Sequence, residues 1–188
     1  MNIVLASASP RRRELLSHFP IEFTVDPAEG PEDPPAGAGP ADTVMALAAA
    51  KAAEVAARRP DALVIAADTI VELDGTILGK PADRADAVRM LRALSGREHR
   101  VYTGVAVTRA GKTLREAEMT TVFFRPMTDR EIDAYIDSGE PMDKAGAYGY
   151  QGLAGLFIHK IEGDYFNVVG LPLCRLGRML ASMGVTLL

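Results

Sequence analysis

The spacing of apolar and polar residues predicts strands and helices in alternation along most of the chain. Asn2 to Ala6 is a short apolar run that reads as a buried strand. Ser9-Pro10 behind it marks a helix start: a hydroxyl to cap the first turn, then proline where its missing N–H costs nothing. Ile21 to Val25 reads as a second strand. Asp26 to Pro40, rich in proline, glycine and acid, suits neither regular element. Connections longer than about 12 residues tend to be functional or disordered, so this loop is either a lid carrying carboxylates or a floppy excursion. Ala41 to Arg58 is an Ala-rich helix and Ala62 to Ala66 a continuous apolar strand. Ile70 to Leu73 and Thr76 to Leu78 flank Asp74-Gly75, the pair favoured in a type I′ hairpin turn. Asp83 to Leu94 forms the next helix, closed by Gly96.

Two long strands follow, Arg100 to Thr108 and Thr113 to Phe124, turning at Ala110-Gly111. Thr128 and Glu131 have the spacing of a capping box and open a helix that runs to Ile136. Gly139 to Gly155 is Gly-rich loop, Leu156 to Ile161 and Tyr165 to Val169 read as strands, and Pro172 to Met183 is a closing helix. Alternation followed by a long hairpin predicts an α/β fold with a mixed, strongly twisted sheet and flanking helices.

At 188 residues the chain is one domain, or two small lobes sharing a core. An apolar fraction of 48% and a charged fraction of 24% exclude global disorder. With 21 basic against 25 acidic residues, the net charge of -4 argues against coating a nucleic acid polymer or an anionic membrane. The single cysteine, Cys174, excludes a disulfide framework and any CxxC motif, which favours a reducing cytoplasm. No secretory signal or membrane span is expected, since the most apolar helix, Ala46 to Ala57, is interrupted by Lys51 and Glu54.

Candidate chemistry begins at Ser7-Ala8-Ser9-Pro10-Arg11-Arg12-Arg13, where two hydroxyls and three guanidinium groups gather as a strand feeds a helix. Helix N-termini favour acids, so arginines there either pair with Glu14 and the acidic loop or serve a phosphate. Because consecutive helical residues sit about 100° apart, only one or two of the three can face one ligand. Asp68 stands just past an apolar strand, either capping the turn before the hairpin or opening a ligand crevice where it holds a cation or takes a proton from water. Lys51 lies in an otherwise apolar helix, where it either snorkels along its stem or faces an anion. Lys80, in Gly79-Lys80-Pro81, suits a phosphate contact, although proline in place of Ser or Thr excludes a P-loop. The glycines from Gly146 to Gly152 recur every third residue, a pattern that lets backbone approach a ligand. Gln151 among them offers a donor and an acceptor suited to a base edge. His18, His99 and His159 lack metal-ligand spacing, and neither GxGxxG nor GxSxG occurs.

Taken in order, Leu5 through Arg12, Ala67-Asp68-Thr69, Gly79-Lys80-Pro81, Asp143 through Gly149 with Gln151-Gly152, and Asn167 through Pro172 span nearly the whole chain. In these blocks the sequence resembles the Maf family of nucleoside triphosphate pyrophosphatases. The resemblance implies one such domain over residues 1–188, with two lobes around a deep cleft similar to the inosine triphosphatase group. It implies a homodimer that cleaves a nucleoside triphosphate to monophosphate and pyrophosphate with a divalent cation, Mg²⁺ or Mn²⁺. Ser7, Arg12, Lys51 and Lys80 match the family's phosphate contacts and Asp68 its catalytic acid and metal position. Glu32 falls where the family places a further metal-site acid, but the order Gly30-Pro31-Glu32-Asp33 departs from its usual Asp-Glu pair, leaving Glu29 and Asp33 as alternatives. Arg11, Thr69 and Gln151 resemble the specificity positions of the branch acting on dTTP and UTP. The rival expectations are a 7-methyl-GTP or other modified-nucleotide pyrophosphatase, whose branch carries an aromatic where Arg11 stands, and a nucleotide-binding regulator of septum formation.

Overall fold

Aliphatic runs become strands and the Ala-rich or capped segments become helices in the computed structural model, which describes all 188 residues. The order is β1 (Ile3–Leu5), α1 (Pro10–Leu16), β2 (Thr24–Val25), α2 (Pro40–Arg58), β3 (Leu63–Leu73), β4 (Thr76–Leu78) and α3 (Arg84–Leu94). Then come β5 (Glu98–Arg109), β6 (Lys112–Phe124), α4 (Asp129–Asp137), β7 (Ile158–Glu162), α5 (Tyr165–Val169) and α6 (Leu173–Ser182). The seven strands form one mixed sheet in the order β2-β1-β3-β5-β6-β7, with β4 paired on β3. β1 is parallel to β2 and β3, whereas β3 with β4 and β6 with β7 are antiparallel. The expected α/β class with flanking helices is therefore the observed one.

Local signals account for most boundaries. Ser9 caps α1, Asp83 caps α3, and Thr128 and Glu131 form the full capping box of α4. Asp74 and Gly75 both have positive φ, 50° and 80°, as a type I′ turn requires. Two expectations change. β3 is one continuous strand of 11 residues, so Asp68 and Thr69 lie inside it rather than beyond its end. Tyr165–Val169 is a short helix and not a strand, because Asp164 Oδ1 accepts from Phe166 N at 2.8 Å and starts a turn. The buried Asn167 then donates to Val101 O and Thr120 Oγ1, both at 3.0 Å.

The chain divides into two compact units: residues 1–69, 103–118 and 170–188 form the first, and 70–102 with 119–169 the second. In the first, Val4, Ala6, Val64 and Ala66 pack with Ala48, Ala52 and Val55 of α2. The pleat sends Ile3, Leu5, Leu63 and Ile65 to the opposite face. Gly104 of β5 is obligatory, since a Cβ there would lie 2.2 Å from Val44 O of α2. The second unit has its own core, in which Leu91 and Leu94 of α3, Ile132 and Ile136 of α4, and Val122 and Phe124 of β6 meet.

Candidate active site

The alternation along β3 separates Asp68 from Thr69. Asp68 shares a face with Val64 and Ala66, the face covered by α2, and Thr69 takes the other. On α2, Leu47, Ala48, Ala52 and Val55 define the buried stripe, and Lys51 falls within it at helical spacing. Lys51 Nζ accordingly meets Asp68 Oδ1 at 2.5 Å and Glu32 Oε1 at 2.6 Å. The side chains of Lys51 and Asp68 are only 16% and 10% exposed, against 56% for Glu32, so the Lys51–Asp68 pair is the partly desolvated core of the cluster. Neither bland alternative survives: Lys51 does not snorkel to solvent, and Asp68 caps no turn. Asp68 Oδ2 makes no hydrogen bond to the protein and is left for a ligand or water.

Glu32, rather than Glu29 or Asp33, is the acid brought to Lys51. The reason lies in tethers with no sequence pattern. Glu54 of α2 accepts from Glu29 N and Gly30 N, each at 2.9 Å, and a Cβ on Gly30 would lie 2.8 Å from Glu54 Oε2. Arg58 and Arg59 both bind Asp26, and their hydrogen bonds hold its carboxyl down to about 2. The start of the acidic loop is thus fastened to α2.

Arg12 is the arginine that turns inward. Its Nε donates to Gly170 O at 2.8 Å, Nη2 to Thr69 Oγ1 at 2.9 Å and Nη1 to Ser7 Oγ at 3.4 Å. Thr69 Oγ1 is itself 2.9 Å from Thr103 Oγ1 of β5. Burial pushes the guanidinium pKa down and the charge of Asp68 opposes that shift. All three acceptors are neutral, and an arginine has five N–H donors, so charge and two N–H groups remain for an anion. The backbone of α1 contributes less than its sequence suggests, because Arg12 N is already taken by Ser9 Oγ at 3.4 Å. Gly170, at φ +118°, leaves room for Arg12: a Cβ there would stand 3.4 Å from Thr69 Oγ1 and 3.5 Å from Arg12 Nε. Arg11 beside it is half-buried.

Six of the residues singled out in the sequence, Ser7, Arg12, Glu32, Lys51, Asp68 and Thr69, therefore gather in the first unit. Lys80 and Gln151 belong to the second, where both are exposed. The turn carrying Lys80 is tied to the Gly-rich loop by Gly146 N donating to Gly79 O at 3.0 Å. The spacing of the glycines in that loop has an internal cause. A Cβ on Gly146 would lie 2.8 Å from Val71, on Gly149 2.6 Å from Lys144 Cε, and on Gly152 2.2 Å from Glu140 Oε2. Side chains of this protein fill the space beside these glycines. Chemically, the first unit offers a carboxylate with one open oxygen, an ammonium that fixes its other oxygen, and a guanidinium aimed by neutral groups. That is equipment for holding a phosphate and a water.

The family profile described as Maf-like protein matches residues 2–183, and the chain belongs to this family. Among its relatives, the dTTP/UTP pyrophosphatase of Pelotomaculum thermopropionicum is 54% identical over 188 residues, 99% of this chain and 98% of that protein. The dTTP/UTP pyrophosphatase of Moorella thermoacetica is 54% identical over 185 residues, 97% of this chain and 95% of its own length. A solved HAM1 protein from Coxiella burnetii shares the fold, with a TM-score of 0.55 at 18% identity over 97% of this chain and 99% of that one.

Proposed function

We propose that this protein is a nucleoside triphosphate pyrophosphatase that hydrolyses dTTP and UTP to the monophosphate and pyrophosphate, clearing unwanted or modified nucleotides. The observation that carries the reading is the Glu32–Lys51–Asp68 cluster with Arg12, formed at the positions that match the family's motifs. The names of relatives at 54% identity support the substrate.

Phosphoryl transfer needs positioning and charge neutralisation more than covalent help. Ser7 and Arg12 hold phosphate oxygens, a task the resemblance gives to Lys80 as well, while Lys51 fixes Asp68 Oδ1 so that Oδ2 orients a water and takes its proton. The water oxygen bonds to the α-phosphorus, the bond from that phosphorus to the bridging oxygen breaks, and pyrophosphate leaves with the electron pair. Arg12 and Lys51 are balanced by Glu32 and Asp68, so these four side chains bring no net charge to a triphosphate. A divalent cation fits that deficit: Asp68 and Glu32 are two hard oxygen donors, and no group of three His, Cys, Asp or Glu side chains forms a cage. Asp68 and Glu32 would hold Mg²⁺ or Mn²⁺, hard cations that take oxygen ligands. When bound, the cation neutralises charge on the triphosphate and its leaving group.

Gln151 reads the O4 and N3–H edge of the pyrimidine. A wrong base leaves its amide unpaired, at a cost of about 1 to 3 kcal/mol. Arg11 and Thr69 complete the specificity set, Thr69 by way of Arg12. The lone Cys174 agrees with a cytoplasmic setting, no helix is long and apolar enough to cross a membrane, and the resemblance supports a homodimer. A panel of triphosphates with Mg²⁺ or Mn²⁺, resolved into monophosphate plus pyrophosphate or diphosphate plus phosphate, tests the reading. dTTP and UTP should exceed dATP and dGTP by about tenfold or more, the ratio set by that cost. Equal rates on dGTP and dTTP, or diphosphate as product, would contradict it.

A further inference from the structure

Gln151 is exposed and makes no hydrogen bond within the protein, yet the backbone on either side of it is clamped. Two residues before it, Gly149 N donates to Tyr135 Oη at 3.2 Å. Two residues after it, Leu153 N donates to Glu140 Oε2 at 2.9 Å. The clamps are one device, because Tyr135 Oη donates to Glu140 Oε1 at 2.8 Å. Between them Gly152 N closes a turn on Gly149 O at 3.2 Å. Lys144 seals the near side: its Nζ donates to Glu140 O at 2.6 Å, and its stem fills the space beside Gly149. The exposed amide thus stands on a backbone fixed at both shoulders.

We propose that Glu140 and Tyr135 are positioning residues for base selection, one carboxylate and one phenol that set where Gln151 presents its amide. The inference rests on the proposed reading of Gln151 as the base reader. An amide discriminates donor from acceptor only while its plane is fixed, and a loop released at Gly149 and Leu153 lets the plane rotate to accept either edge. Loss of the clamp therefore costs selectivity before it costs turnover. A purely structural role predicts the opposite pattern, with every nucleotide slowed by the same factor.

The test compares kcat/KM for dTTP, CTP and dGTP in the full chain carrying Tyr135→Phe, Glu140→Ala, Glu140→Gln or Gln151→Ala, with Tm measured for each. Tyr135→Phe keeps the ring that packs edge-on against Phe157, so it carries the test even where Glu140→Ala folds poorly. Tyr135→Phe and Glu140→Ala are expected to lower the dTTP:dGTP ratio by about three- to tenfold, the span of one weakened hydrogen bond. Glu140→Gln, whose oxygen can still accept from Leu153 N, should restore most of it. In a Gln151→Ala background the clamp variants should change the ratio no further. If Gln151→Ala lowers the ratio but the clamp variants leave it unchanged, the positioning role is overturned and the base reader stands. If Gln151→Ala itself leaves the ratio unchanged, the base reading falls and the inference with it.

Discussion

Two largely buried polar sites, one in each unit, are held by opposite means. In the first, charges meet: Lys51 is fixed by Asp68 and Glu32, and Arg12 keeps its charge among neutral oxygens. In the second, neutral groups meet: His99, 2% exposed, faces Tyr148 Oη through Nε2 at 2.7 Å and packs edge-on against Phe124 and Tyr148. Its Nδ1 is buried without a partner, and burial drives the ring pKa down to about 3. The first site concentrates charge, and the second, at His99, cannot accept one without losing stability. Substitution at the first site should therefore stop turnover without unfolding the chain, and protonation of His99 should cost stability without touching that cluster.

The largest effect is expected at Asp68. Asp68→Asn keeps the shape but cannot take a proton, so turnover should fall by about 10² to 10⁴, the usual range for general base catalysis. Nucleotide binding and Tm should survive, and activity within a few-fold of wild type would remove Asp68 from the reaction. Arg12→Ala should weaken triphosphate recognition by about 1.5 to 3 kcal/mol, as for a charge-assisted hydrogen bond, read as a change in kcat/KM. An unchanged value would transfer the phosphate contact to Arg11 or Arg13.

The contrast sharpens at His99. Above about pH 6.5 the ring is neutral in both folded and unfolded chains. As pH falls below that value the unfolded chain takes up a proton that the folded one refuses until about pH 3, so stability falls across this window. Between pH 6 and 5 the loss should approach 1.4 kcal/mol per pH unit, that is about 1.4 for one proton. Denaturant unfolding of His99→Gln should show a flatter profile there, and an identical slope would mean that the ring is not what titrates. Carboxyls such as Asp26, held at about 2, lose their contribution only at lower pH.

The sequence made the strand–helix alternation legible wherever caps and turns repeat local rules, as at Ser9, Asp74-Gly75 and Thr128. It failed where tertiary partners decide. The polar pair Asp68-Thr69 split one strand into two readings, because the site interrupts the apolar run that marks a strand. Tyr165 to Val169 has β-type residues but is turned into helix by Asp164 and anchored through Asn167. Arg12, Lys51 and Asp68 stood out as charges in unlikely settings. Glu32 could not be told from Glu29 and Asp33, because an irregular loop has no period, and Glu54, Arg58 and Arg59 set its path from another element. The glycines near Gln151 were visible as a pattern, but the side chains that require them, Val71, Glu140 and Lys144, were not.

Tracing the oxygen of the attacking water tests the proposed hydrolysis at its reacting atom. When dTTP is hydrolysed in water enriched in ¹⁸O, attack at the α-phosphorus, with Asp68 holding the water, places the label in dTMP and leaves pyrophosphate unlabelled. Label in pyrophosphate, or in inorganic phosphate released with dTDP, would contradict the account.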